Sequence, residues 1–387
     1  MIAPFSRPLY AIVKPVGARC NQRCRYCYYT PRGKGSEGTM SDELLELFTR
    51  QYLDAQTQRE VLFTWHGGEP TLAPIAFYER ALALQRRWAG HRVCDNALQT
   101  NGTLLTDDWC RFLADNGFLV GISVDGPQGV HDAYRGRGTW ARVMLGIERL
   151  EKHSVQWNAM ATVNALNMAN PRDFYRFFKG IGCRFLQFTP VVERALGGGV
   201  TPESVTPEGW GRFLCGVFDE WLHGDVGEVF VQLFEATLAN WCGVPPGICS
   251  MSPACGDALV VEADGNVYSC DHGRWPFSVP RPATLAHPAN PYWLGNLSKL
   301  TLTQMAYGEK QQAFRRLKGN LPQACRTCRW LFACHGECPK NWGIAGEGNF
   351  LCAGYRQFFA HAEQAMNLMR EELAAGREAT GAQSGLI

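Results

Sequence analysis

The sequence has no apolar run near the roughly 18 residues that a membrane-spanning helix requires. It lacks an export signal as well: the apolar stretch near Tyr10–Val13 is too short for a signal h-region. There is no excess of charge of either sign. Thirty-eight Lys and Arg against 36 Asp and Glu leave a formal net charge of +2, which gives no basis for binding nucleic acid or another polyanion. No internal repeat is visible. These absences exclude a membrane protein, a secreted disulfide scaffold and a nucleic-acid binder, and they predict a cytoplasmic globular protein. Its 387 residues, 46% hydrophobic and 19% charged, suffice for one large domain and a smaller one.

Cysteine is what the sequence has in excess. Sixteen of them in a reducing compartment point to metal binding or chemistry rather than to disulfides. Three crowd into Cys20–Cys27, and eight fall between Cys249 and Cys352. Cys94, Cys110, Cys183, Cys215 and Cys242 are scattered and are assigned to core packing; Cys242, seven residues before Cys249, could also be a spare ligand or a redox-labile thiol.

Strand-like and helix-like segments alternate through the first 240 residues. Strands are expected at Leu9–Lys14, Val61–Trp65, Asn96–Thr100, Leu119–Val124, Asn158–Val163 and Phe185–Thr189. Helices are expected from a Ser41 cap to about Gln56, then near Ile75–Trp88, Thr106–Asn116, Trp140–His153 and Pro171–Lys179. One strand per roughly 30 residues implies a parallel sheet curled into a full or partial barrel. From about Pro245 the helical period fades and Gly, Pro and Cys rise. Ala258–Ser269 reads as a hairpin turning at Asp264-Gly265-Asn266. A segment so poor in apolar residues needs metal to hold it. A last amphipathic helix is expected at Tyr355–Ala375, then a polar, disordered tail, Gly376–Ile387. The expected domains are 1–240, 241–375 and the tail 376–387.

Cys20, Cys24 and Cys27 form a C-x3-C-x2-C loop after the first strand. Three thiolates can hold three irons of a [4Fe–4S] cube and leave the fourth open, where the amino and carboxylate groups of S-adenosylmethionine (SAM) could chelate. A three-cysteine zinc site completed by a distant histidine is the alternative. The other eight cysteines, Cys249, Cys255, Cys270, Cys325, Cys328, Cys334, Cys338 and Cys352, make two complete four-cysteine sites; two structural zinc ions would use the same count.

The cysteine loop followed by Gly67-Gly68-Glu69-Pro70 resembles the radical SAM superfamily, whose fold is a partial (β/α)6 barrel. The spacing C-x2-C-x5-C-x3-C over Cys325–Cys338, then Cys352, resembles the SPASM extension that binds auxiliary clusters. More narrowly, Phe63-Thr64-Trp65, Leu98-Gln99-Thr100-Asn101-Gly102, Gly121–Pro127, Gln187–Val192 and Cys270-Asp271 resemble the anaerobic sulfatase-maturating enzymes. One departure is His66, where that family leads one to expect glutamine. The resemblance implies three [4Fe–4S] clusters, one on Cys20/Cys24/Cys27, one on Cys249/Cys255/Cys270/Cys338 and one on Cys325/Cys328/Cys334/Cys352. It implies SAM held by the backbone of Tyr26, by Gly68 and Glu69, by Ser123 and Arg135, and against Leu196. It implies Asp271 as the base that takes a proton while an auxiliary cluster takes an electron. The expected reaction converts Cys or Ser in an unfolded sulfatase segment to Cα-formylglycine, with flavodoxin or ferredoxin as electron donor. The competing readings are a SPASM enzyme that crosslinks a ribosomal peptide and a non-catalytic zinc scaffold.

Overall fold

The computed structural model describes residues 9–29, 38–256, 258–272, 289–346 and 348–380. The expected disordered tail lies outside them from residue 381 onward. Contacts group the chain into two compact units, each discontinuous in sequence: Met1–Ser123, Arg135–Trp157 and Gly256–Arg316 form one, and Val124–Tyr134, Asn158–Cys255 and Leu317–Ile387 the other. Among the described residues no helix is long and apolar enough to cross a membrane.

Strands run in chain order β1 (Tyr10–Val13), β2 (Glu60–Trp65), β3 (Val93–Thr100), β4 (Leu119–Ser123), β5 (Trp157–Val163), β6 (Phe185–Pro190), β7 (Phe230–Val231), β8 (Ala258–Val261), β9 (Asn266–Tyr268) and β10 (Trp293–Asn296). In the first unit β1, β2, β3 and β4 are parallel neighbours. β8 pairs parallel with the free side of β1, and β8, β9 and β10 continue antiparallel. The register aligns Val13 with Trp65, Trp65 with Leu98 and Thr100 with Ile122. The carboxyl ends of β1 to β4 therefore share one edge, where parallel α/β sheets place their functional groups.

Local chemistry explains these elements. The Ser41 hydroxyl accepts from the Leu44 N–H at 3.2 Å, and Asp42 and Glu43 favour the positive end of helix Asp42–Asp54. That helix is pinned to β1 through Tyr52, whose hydroxyl donates to the Leu9 carbonyl at 3.0 Å, and through Gln56, whose amide donates to the same oxygen at 2.6 Å. β2 alternates, burying Val61, Phe63 and Trp65. Phe63 and Trp65 join Phe48, Tyr52 and Tyr78 in one edge-to-face cluster, each ring contributing about 1.5–3 kcal/mol of burial.

In the second unit β5, β6 and β7 are parallel. Helix Pro207–Leu222, capped by Thr206, lies against the long helix Cys352–Ala374. The two meet at glycines: a Cβ on Gly354 would sit 2.3 Å from the Pro207 carbonyl oxygen, and one on Gly211 would sit 2.9 Å from the Gly354 Cα. Beside this crossing Phe218, Phe234 and Phe358 interlock. Within the cysteine-rich stretch, Trp330 packs against Trp241 and Phe359.

Gly354→Ala is expected to cost about 1–3 kcal/mol, since backbone rather than a flexible side chain stands in the way. Urea unfolding checks this; an unchanged midpoint would mean that the helices part without cost.

Candidate active site and cluster-binding cysteines

At the strand-end edge of the first unit, the three-cysteine loop is sewn to the end of β2 by main-chain hydrogen bonds. His66 N–H donates to Val13 at 2.8 Å, Gly68 N–H to Gly17 at 2.9 Å and Glu69 N–H to Arg19 at 2.8 Å. The approach requires glycine: a Cβ on Gly68 would lie 2.0 Å from the Arg19 carbonyl oxygen. Glu69 is fully buried. Its Oε1 accepts from Thr71 N–H (3.0 Å), the Thr71 hydroxyl (2.6 Å) and the Thr100 hydroxyl (2.6 Å), and its Oε2 accepts from Asn101 N–H at 2.7 Å. Burial raises the carboxyl's pKa against the pull of these donors. The side chain is thus occupied in joining the ends of β2 and β3.

From the end of β3, the Asn101 amide donates to Asn21 Oδ1 at 2.8 Å and reaches Cys20 Sγ at 3.9 Å. Asn21 in turn donates to the Thr103 hydroxyl at 2.9 Å. The Gln22 N–H points at Cys20 Sγ, 3.3 Å away. Burial pushes the Cys20 thiol up to about 12, with Glu69, Cys24 and Cys27 adding to the rise and the Gln22 N–H opposing it. Such a thiol ionises only when a cation binds it. Ser123 ends β4 and accepts from Gln99 Nε2 at 3.1 Å. Arg135, buried at the end of helix Gln128–Arg135, places its guanidinium 5.6 Å from the Tyr26 ring centre. The structure therefore brings Tyr26 and Arg135 together.

Asp271 is held at both oxygens. Lys14 Nζ lies 2.7 Å from its Oδ1, and the hydroxyl of Tyr28 donates to its Oδ2. Burial alone would raise this carboxyl, but Lys14, His66 and His272 outweigh it and hold the group below the usual carboxylate range. The Tyr28 phenol is pushed up by burial and by Asp271, so it remains a donor. Tyr29 similarly donates to Glu262. His66 is half-buried, its Nδ1 makes no hydrogen bond, and desolvation lowers its pKa with Lys14 adding and Asp271 opposing. Sequence reasoning missed Lys14, Tyr28 and Tyr29 altogether; a lysine ending an apolar strand beside the loop was the available signal.

The second unit contains the other cysteine groups. Cys325, Cys328, Cys334 and Cys352 line a small cavity of ≈ 20 Å³ with Trp330, Tyr355 and Phe359. Burial raises the Cys334 thiol, with Glu337, Cys352 and Cys325 adding. It also raises Cys325 and Cys352, with neighbouring cysteines adding. Between Cys334 and Cys338 the backbone takes positive φ at His335 (47°), Gly336 (77°) and Glu337 (54°), a costly run for the two non-glycine residues. It is held by the buried Glu337 carboxylate, whose Oε2 accepts from Asn341 (2.9 Å) and Asn349 (2.6 Å). Cys249 begins a turn whose carbonyls receive a buried ammonium: Lys318 donates to Cys249 (3.2 Å), Ser250 (2.7 Å) and Ser252 (2.6 Å). Cys255 and Cys338 belong to this unit and Cys270 to the first. Leu196, expected against SAM, stands 83% exposed on a loop closed by the Arg194–Val200 bridge.

No described cysteine is in a disulfide. Among the described residues no three His, Cys, Asp or Glu are arranged to hold a single metal ion. A cube makes a different demand, since each thiolate binds its own iron, and the four cysteines gathered around one small cavity are the donor set it takes.

The sequence matches the radical SAM superfamily over residues 15–178 and the SPASM iron–sulfur cluster-binding domain over 249–329. It is 47% identical to a serine-type anaerobic sulfatase-maturating enzyme of Bacteroides thetaiotaomicron, aligned over 96% of this chain and 93% of the relative. It is 31% identical to a cysteine-type enzyme of Clostridium perfringens over 92% and 96%. A solved structure described as native anSMEcpe with bound AdoMet and Cp18Cys peptide superposes with a TM-score of 0.84 at 29% identity, covering 95% of this chain and all of that one. The fold is thus mixed α/β with a parallel sheet, made of a radical SAM domain and a SPASM domain.

Gly68→Ala is expected to loosen the turn at Val16–Cys20. Amide exchange at position 68 and at Glu69, whose N–H groups donate to Gly17 and Arg19, should accelerate over the parent; equal exchange would show that the loop yields without loss of these hydrogen bonds.

Proposed function

As the chain belongs to the anaerobic sulfatase-maturating enzymes of the radical SAM superfamily, we propose that it oxidises a Cys or Ser in an unfolded sulfatase segment to Cα-formylglycine. The observation that carries this reading is the bond from Tyr28, the residue after Cys27, to Asp271, the residue after Cys270: one contact joins the candidate base to the three-cysteine loop.

In this reading Cys20, Cys24 and Cys27 hold the SAM-binding [4Fe–4S] cluster. Cys249, Cys255, Cys270 and Cys338 hold one auxiliary cluster, and Cys325, Cys328, Cys334 and Cys352 the other. Bound SAM and its cluster supply the radical that removes hydrogen from the target Cβ, and the auxiliary clusters accept the one electron that carbon must then lose. The chain's own residues do the rest. The backbone at Gly68 and Glu69 receives the amino group of SAM, because the Glu69 carboxylate is engaged elsewhere. Ser123 and Arg135 hold its ribose and carboxylate, and Tyr26, braced by Arg135, offers its backbone to the adenine. Leu196 covers the ligand from its exposed loop. Asp271, kept ionised, takes the thiol or hydroxyl proton. A Cys target gives a thioaldehyde that hydrolyses with loss of sulfide, and a Ser target gives the aldehyde directly. Flavodoxin or ferredoxin supplies the electron that starts each turnover, and the reaction takes place in the cytoplasm.

The test is anaerobic reconstitution with iron and sulfide, then SAM, dithionite and two sulfatase-motif peptides differing only in Cys or Ser. About twelve irons per chain are expected, four for each cube, and mass spectrometry should find the aldehyde on at least one peptide. Asp271→Asn should lower aldehyde formation about 10²–10⁴-fold while 5′-deoxyadenosine still forms. SAM cleavage with both peptides unmodified would sink the sulfatase reading and favour another peptide-modifying activity.

A further inference from the structure

Lys14 is a charged group that the proposed chemistry leaves without a task. It ends β1, is 0% exposed and carries three N–H donors. Its Nζ is 2.7 Å from Asp271 Oδ1 and 3.5 Å from the centre of the Tyr29 ring. The contact with Asp271 can occupy one of the three donors, and no other acceptor among the described residues receives a hydrogen bond from Nζ. A buried ammonium is costly unless its donors are met. Lys318 in the same protein meets that demand in full, with three carbonyls at 2.6–3.2 Å. Lys14 does not, so its donors stay available beside the carboxylate that is to take the substrate's proton. Gly67 leaves it room: a Cβ there would press within 3.2 Å of the Lys14 Cβ, at a φ of +126°.

We infer that Lys14 is a catalytic residue that donates to the heteroatom of the target side chain, the same Sγ or Oγ whose proton Asp271 accepts. The inference rests on the sulfatase-maturation reading. Once hydrogen has left Cβ, the S–H or O–H proton passes to an oxygen of Asp271. The negative charge left on the heteroatom is held by a Lys14 N–H until one electron departs to the iron–sulfur acceptor and the C=S or C=O bond closes. A fixed donor aimed at developing negative charge in a dry site is the arrangement of an oxyanion hole, where losing one donor typically costs about 10²–10³ in rate. An alcohol is a far weaker acid than a thiol, whose ordinary pKa is about 8.5. The help from Lys14 therefore matters more for Ser than for Cys.

The experiment compares the reconstituted parent, Lys14→Met, Lys14→Arg and the double variant Lys14→Met/Asp271→Asn on the Ser and Cys peptides, with iron content and melting temperature measured on the same preparations. Lys14→Met is expected to lose about 10²–10³-fold in aldehyde formation on the Ser peptide and at least tenfold less than that on the Cys peptide, while 5′-deoxyadenosine forms at the parent rate. Lys14→Arg, which keeps a charged donor, should recover much of the Ser activity. The double variant removes both charges of the ion pair together and should melt no lower than the parent, which separates lost chemistry from lost structure. Equal losses on both peptides, or turnover unchanged in Lys14→Met, would overturn the role of Lys14 and leave the sulfatase reading standing. A parent that modifies neither peptide would overturn that reading and this inference with it.

Discussion

The candidate site depends on a carboxylate committed to holding strand ends together. Glu69 is buried at the end of β2, and four donors from Thr71, Thr100 and Asn101 converge on it, while its own N–H donates to Arg19 in the cysteine loop. Two strand ends and the loop are thereby fixed by one residue. Removing the side chain would leave buried donors unmet, each costing about 1–3 kcal/mol, and would release Asn101, which steadies Asn21 beside Cys20. The glycine before it serves the same geometry, since only a residue without a Cβ admits the Arg19 carbonyl so closely. A Gly-Gly-Glu sequence at this edge is a joint before it is a ligand site.

The same logic of unmet demand runs through the cysteines. Burial pushes Cys20 up to about 12 and raises Cys325, Cys334 and Cys352, so the bare protein holds thiols rather than thiolates at neutral pH. Cations reverse that preference, and the binding free energy of the metal becomes folding free energy for the segments that carry the ligands. The strained run from His335 to Glu337 shows that the protein sets part of this geometry itself, with two asparagine amides on a buried carboxylate as the brace.

Elements with a clean period were legible in the sequence: the six strands β1 to β6 and five of the helices between them stand within a few residues of where alternation and capping put them. Helices Pro207–Leu222 and Gln232–Trp241 were not singled out, because Phe213, Leu214, Val217, Phe218 and Trp221 bury nearly every face and no amphipathic stripe remains. The short helices between Leu302 and Cys334 are too brief for any period to show. At the site, spacing singled out the cysteine groups and the family resemblance singled out Asp271, but neither pointed to the residues around them. Lys14, Tyr28 and Glu262 acquire meaning only when β8 is placed beside β1, a pairing between distant parts of the chain that no local pattern announces.

The proposed chemistry sets two demands against each other, and the structure supplies both sides. A general base works best when its affinity for the proton approaches that of the group it deprotonates, yet Asp271 is held below the usual carboxylate range by the charges around it. The cation that weakens the base is the one placed to strengthen the acid, because Lys14 lies against Asp271 with donors to spare. Lowering the basicity of the carboxylate and the basicity of the substrate heteroatom with one charge leaves their difference small, which is the condition for easy transfer. On this argument the ion pair is a matched device, and Asp271 considered alone would be misjudged as too weak a base for the task.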